Sequence, residues 1–153
     1  MPITSSLEIS PDNRDVLFQI VNSPDATRRG IRNALYLSGK ALRKFSRDLI
    51  KNPPKTGAYY RIPGRKRLHR ASAPGQPPAN RTGKLRESVG FEVKGSSDMR
   101  FGVRTDVNYG KFLERGTKIM SKREFLIRSI NENQKDIENY FNGNVNKELN
   151  KLP

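Results

Sequence analysis

The sequence predicts an α+β fold in which a long first helix packs on a small antiparallel sheet, with a short helix after the hairpin and a C-terminal helix. Three observations carry this. From Ile31 to Ile50 apolar residues recur at three- and four-residue steps, the spacing of a helix with one buried stripe. From Val89 to Thr105 the period drops to two on either side of Gly95-Ser96-Ser97-Asp98, as in a hairpin with one covered face. After Phe125 helical spacing returns.

Residues 1–10 show little pattern beyond Leu7 and Ile9. Pro11-Asp12-Asn13 offers a turn ahead of an apolar stretch, which reads as a short helix over 12–21. Ser23-Pro24-Asp25 then combines a capping residue, a first-turn proline and a first-turn carboxylate, a helix start signal. The stripe that follows is Ile31, Ala34, Leu35, Ser38, Ala41, Leu42, Phe45, Leu49 and Ile50, and Asn52-Pro53-Pro54 ends it. Another face carries Arg28, Arg32, Tyr36, Lys40, Arg43, Lys44, Arg47 and Lys51. A solvated face is the plain reading of this row, and contact with a polyanion or an acidic partner is the sharper one.

Between Pro53 and Thr82 no period survives, and the segment holds many cations without one carboxylate. Structureless loops of this length are uncommon inside a compact domain and are usually functional. Tyr59, Tyr60 and Ile62 are poor linker residues, so the loop reads as an arm that packs on something else. Its expected contact residues are Tyr59, Tyr60, Arg61, Arg65, Lys66, Arg67 and Arg70.

The sheet is expected to begin just after Gly83, with Val89, Phe91 and Val93 alternating with Ser88, Gly90 and Glu92, and Met99, Phe101, Val103 and Thr105 alternating with Arg100, Gly102 and Arg104. Residues 109–115 make a short helix stopped by Gly116, a good left-handed cap. Residues 117–121 read as an edge strand or connector. Phe125, Leu126, Ile130, Ile137 and Phe141 mark the final helix, with Glu124, Glu132, Asp136 and Glu138 off its stripe. The organisation is therefore an arm over 1–22, one domain over 23–141 and a tail over 142–153, the tail a frayed helix or an extended arm.

A chain of 153 residues fits one core. Lys and Arg total 30 against 15 Asp and Glu, for a net charge of +15, which favours polyanionic or acidic partners. Cysteine is absent, excluding disulfides and thiolate metal sites. No apolar run approaches a bilayer span and the first residues lack a signal pattern, so a soluble protein made in the cytoplasm, with no membrane partner, is expected.

Thr82-Gly83-Lys84 resembles the end of a phosphate-binding loop, but that motif needs glycine where Pro78 stands and a hydroxyl where Leu85 stands. His69 is the single histidine, so a two-histidine metal site is excluded. Glu87, Glu92 and Glu114 have no spacing that singles out an acid-base pair, and Asn80-Arg81-Thr82 matches the glycosylation sequon without an export signal. The expectation is a non-enzyme with no catalytic residues, no cofactor and no metal. Arginines and lysines interleaved with Tyr59 and Tyr60 would serve a single-strand platform, so a basic nucleic-acid-binding protein is the alternative.

Three segments, "SAPGQPPANRTGKLRESV", the hairpin and "VNYGKFLERGTKIMSKREFL", resemble in order and spacing the head-tail joining and tail-completion proteins of tailed bacteriophages. The Thr-Gly-x-Leu-x-x-Ser segment of that family is matched by Thr82, Gly83, Leu85 and Ser88. Its Tyr-x-x-x-x-Glu-x-Gly-Thr segment is matched by Tyr109, Glu114, Gly116 and Thr117, and its Arg-Pro-Phe-Leu segment by Arg123, Phe125 and Leu126. Glu124 stands where the family has proline, a substitution that still suits a first helical turn.

The resemblance spans about residues 71–129 and implies that these are fold-defining positions. It further implies a structural virion protein of the neck or upper tail, a homo-oligomeric ring, commonly sixfold, that joins tail to head around a channel for DNA. The implied partners are portal-side, neck or tail-tube proteins, with non-specific contact to the genomic DNA.

Overall fold

The structure is a computed structural model and describes residues 24–54, 56–64 and 66–151. The helix expected over 12–21, together with Ser23, Lys55 and Arg65, lies outside the described residues. The elements in chain order are α1 (Pro24–Lys51), β1 (Tyr59–Arg61), β2 (Leu68–Arg70), α2 (Lys84–Ser88), β3 (Val89–Lys94), β4 (Asp98–Val103), α3 (Gly110–Arg115), α4 (Leu126–Glu132) and α5 (Gln134–Leu149). This is the expected α+β architecture, with α1 as its spine.

Helix α1 buries Ala26, Thr27, Gly30, Ala34, Ser38, Gly39, Leu42, Ser46 and Ile50. Much of that line is small. Ile31, Leu35, Ala41, Phe45 and Leu49, read from the sequence as the stripe, are half-buried beside it. The seam is centred where neighbours approach most closely, and small side chains permit that approach. At Gly30 a β-carbon would stand 2.8 Å from the Val145 Cα, so α5 lies directly against the α1 backbone.

The single C-terminal helix expected from residue 125 onward is two helices, α4 and α5, divided at Asn133. The buried Asn133 amide donates to the Ser129 carbonyl at 2.8 Å and so satisfies the end of α4. The chain also stays helical beyond residue 141, to Leu149, which is buried. The Val145 backbone against Gly30 and the Arg29–Glu148 ion pair tie this last stretch to α1, so the part of the tail up to residue 149 is helix and no extended arm.

β3 and β4 form the expected antiparallel hairpin, with Phe91 opposite Phe101 and Val89 opposite Val103, and Asp98, expected in the turn, pairs with Lys94 as the first residue of β4. Phe91 lies over Gly39 of α1, its ring met edge-on by Tyr36 at 5.6 Å and covered by the Arg43 guanidinium at 5.4 Å. Arg47 donates to the Glu87 and Val89 carbonyls at 3.2 and 3.0 Å. Two cations of the basic row therefore fasten the sheet to the helix, and the plain solvated reading does not cover them.

The strand expected to start after Gly83 begins six residues later. Residues 84–88 form α2, with Gly83 left-handed at φ 86° as its N-cap and Leu85 and Ser88 buried. Three-residue spacing in one turn cannot be separated from alternation in so short a stretch. Ile50, Leu85, Val89, Val107 and Phe125 form the core where α1, the sheet and α4 meet, flanked by Phe101, Val103, Leu113 and Leu126. Full burial of side chains of this size contributes about 1.5–3 kcal/mol each.

A polar seam runs beside that core. Ser46 Oγ donates to the Phe125 carbonyl at 3.1 Å and lies within hydrogen-bond distance of Ser129 Oγ, which also donates to that carbonyl. All three side chains are fully buried, so α1 and α4 are registered by directional bonds as well as by packing.

Candidate assembly site: a basic ribbon braced on the core

The segment over 53–82, expected to be structureless, carries a ribbon. β1 and β2 pair antiparallel with Tyr59 opposite Arg70, Tyr60 opposite His69 and Arg61 opposite Leu68. Residues opposite one another share a face, and faces alternate along each strand. Tyr59, Arg61, Leu68 and Arg70 therefore lie on one face, and Tyr60 and His69 on the other. The strands are three residues long and largely exposed on both faces, which leaves no alternation to read in the sequence.

On the first face Tyr59 and Leu68 are 62% and 57% exposed. The Arg70 guanidinium stacks over the Tyr59 ring at 5.1 Å and donates to the Gly57 carbonyl at 3.3 Å. That stacking flattens Arg70 along the ribbon and keeps its charge in the same patch as the apolar rings. Lys66 and Arg67 are exposed beyond the paired residues. Arg65, the remaining expected contact, lies outside the described residues.

The base of the ribbon is anchored. Gly57 and Ala71 extend the pairing, with Gly57 N–H donating to the Ala71 carbonyl at 2.9 Å and Ala71 N–H to the Ala58 carbonyl at 3.0 Å. Thr56 Oγ1 donates to Gln76 Oε1 at 2.9 Å. Arg123 Nη1 donates to both the carbonyl and the hydroxyl of buried Ser72 at 2.6 Å, and Gly75 N–H donates to the Lys122 carbonyl at 3.2 Å. The loop thus has two halves, an exposed ribbon over 57–70 and a docked limb over 71–82.

The residues expected to define the fold account for that docking. Glu114, at the end of α3, is buried and accepts from the N–H groups of Phe125, Leu126 and Ile127 at 3.0, 3.1 and 2.8 Å. These are the unpaired donors at the start of α4. Gly116 closes α3 at φ 75°, its N–H donating to the Phe112 carbonyl at 2.8 Å. A β-carbon there would meet the Met120 carbonyl at 2.8 Å.

Thr117 Oγ1 accepts from Met120 N–H at 3.1 Å, and Arg123 N–H donates to the Leu113 carbonyl at 2.7 Å. Residues 117–121 are accordingly a connector wound back on α3. Glu124, expected in the first turn of the last helix, precedes α4 and binds Lys122 Nζ at 2.6 Å. Glu114 performs the capping from outside the helix, a role that sequence reasoning missed because donors and acceptor are far apart in the chain.

Thr82, Gly83, Leu85, Tyr109 and Arg123 also converge on one groove of about 550 Å³ between the docked limb and α3. Asn80 Oδ1 accepts the Gly83 N–H at 2.8 Å, and Ser88 Oγ donates to the Leu85 carbonyl at 2.7 Å. His69, Arg81 and Lys84 line the same groove, with no carboxylate among its lining residues. Burial first, and Asp106 second, push the Tyr109 phenol above its ordinary value of 10.0, so it stays a neutral hydrogen-bond donor at physiological pH.

No group of three or more acidic or histidine side chains that would hold a metal ion occurs among the described residues, and no described helix is long and apolar enough to cross a membrane. The chain matches no protein-family model, no curated protein and no solved structure.

Proposed function

We propose that this chain is a structural virion protein of a tailed bacteriophage, assembling into a ring at the neck or upper tail that joins tail to head and leaves a channel for DNA. The observation that carries the reading is a division of labour. Residues of the three resembling segments, Glu114, Gly116, Arg123 and Phe125, are spent on folding and on bracing one loop. The braced ribbon holds Tyr59, Arg61, Leu68 and Arg70 exposed, a composition enriched at protein interfaces. A scaffold that presents a rigid apolar and basic arm suits assembly.

The test is complementation of particle assembly with a chain whose residues 59–70 are replaced by an Asn-Gly turn, which suits two closely paired strands. Ser72 and Gly75, which anchor the docked limb, are kept. The expected outcome is a folded protein with heads and tails left unjoined. Normal infectious particles would refute the proposal.

A second reading, nucleic-acid binding, is favoured by the carboxylate-free groove lined by His69, Arg81, Lys84 and Arg123. It requires duplex or single-strand affinity that falls steeply with salt because phosphates are neutralised. Weak binding without sequence or structural preference is expected of any chain with a charge of +15.

A further inference from the structure

The exposed ribbon face combines two cations with two large apolar side chains, which bears on the chemistry of its partner. A phosphate backbone would use Arg61 and Arg70 but would leave Leu68, 57% exposed, with nothing to cover it. A protein surface that is both acidic and apolar would satisfy all four residues.

Both kinds of group occur on the same chain on the two helices that meet at Asn133, α4 and α5. Ile127 and Ile130, 42% and 40% exposed, stand one turn apart on α4. Glu132, Asp136 and Glu138 border a shallow cleft at the α4–α5 corner together with a single cation, Lys135, and Glu132 is already paired with Arg128. Most carboxylates of the described residues are held in ion pairs with neighbours, as in Asp25 with Arg28, Glu92 with Lys94, Asp106 with Arg104 and Glu124 with Lys122. Asp136 and Glu138 are exposed and make no ion pair with another described residue. No ion pair among the described residues joins the ribbon to this corner within one chain.

We propose that the ribbon face formed by Tyr59, Arg61, Leu68 and Arg70 of one copy docks on the α4–α5 corner of the next copy, Arg61 and Arg70 facing Asp136 and Glu138, and Leu68 facing Ile127 and Ile130. The inference rests on the ring reading above and names the interface that closes it. Two different patches meet, so the contact is heterologous and repeats from subunit to subunit, the arrangement that generates rings. Charge complementarity sets the register and the apolar centre excludes water.

The test is a charge exchange in the full-length chain, read by sedimentation across a concentration series. Arg61→Glu with Arg70→Glu, and separately Asp136→Lys with Glu138→Lys, should each weaken self-association by roughly tenfold or more, because like charges then face each other. All four changes in one chain should restore most of the lost association. The altered positions are exposed, and circular dichroism of each variant checks that the fold is kept. The chain has no cysteine, so mixing a Leu68→Cys chain with an Ile130→Cys chain should give a mixed disulfide between copies under mild oxidation.

Assembly unchanged by either exchange, with the wild-type protein still oligomeric, would overturn the interface and leave the ring reading standing. A wild-type chain that sediments as a monomer at every concentration would overturn both. Loss of duplex-DNA retention in the Arg61→Glu and Arg70→Glu chain, with self-association intact, would make nucleic acid the ribbon's partner and overturn the inference.

Discussion

The Glu114 carboxylate and the Phe125 amide meet at 3.0 Å within the core. Through this contact the end of α3 holds the start of α4, and the same carboxylate serves Leu126 and Ile127. The acceptor is charged and nearly enclosed, which strengthens each bond and raises the cost of losing it. Glu114→Ala is expected to destabilise the fold by about 2–4 kcal/mol and Glu114→Gln, which keeps one acceptor oxygen, by about 1–2 kcal/mol. Urea unfolding followed by circular dichroism measures both, and equal losses would refute the assignment.

Two glycines of the helical pair make opposite predictions. Gly30→Ala must push α5 from α1, because the obstacle is the Val145 backbone, and is expected to cost about 1–3 kcal/mol despite the better helix propensity of alanine. Gly143 lies within α5 with nothing within 4 Å of its notional β-carbon. Gly143→Ala is expected to add about 0.5–1 kcal/mol. Thermal melts of the two variants should move in opposite directions.

Buried serines on α1 are also unequal. Ser46 donates to the Phe125 carbonyl, so Ser46→Ala is expected to cost about 1–2 kcal/mol. Ser38 Oγ is buried without a hydrogen-bond partner among the described residues. Removing that hydroxyl removes an unmet desolvation cost, so Ser38→Ala should be neutral or stabilising. A loss at Ser38 matching that at Ser46 would contradict the contrast.

Acid should release one end of the helical pair. Hydrogen bonds from Lys151 and then Arg29 hold the Glu148 carboxyl below its ordinary value of 4.5. A depressed folded value means that its contribution is complete above the unfolded value and is lost as pH falls through the lower folded one. Wild-type stability should therefore decline below the ordinary carboxylate range. Glu148→Gln should be less stable at neutral pH and show a shallower acid decline, read by denaturant melts across pH.

The parts of the fold readable from sequence are those with enough length or alternation to carry a period. Helix α1 and the β3–β4 hairpin are such parts, and Gly116 announced the end of α3 through its special backbone. The β1–β2 ribbon was not readable, since neither face is covered. The break at Asn133 depends on a bond back to Ser129 that no hydropathy pattern encodes. For the candidate site, Tyr59, Arg61 and Arg70 were visible as basic and aromatic residues in a long loop. Leu68 was not, because its exposure follows from strand pairing. Arg123 and Ser72 were visible as residues but not as a pair, 51 positions apart.

That pair has a mechanical consequence. A tether joined to a body at flexible ends samples many positions, and capture by a partner must quench that freedom. Here the ribbon springs from the end of α1 on one side and from the Arg123-clamped Ser72 on the other, so it behaves as a bracket. Most of the ordering entropy is lost when the chain folds, and the proposed neighbour would meet a preset angle. Loosening the clamp, as in Arg123→Ala, would turn the bracket into a leash, slowing capture without altering a single residue that touches the partner.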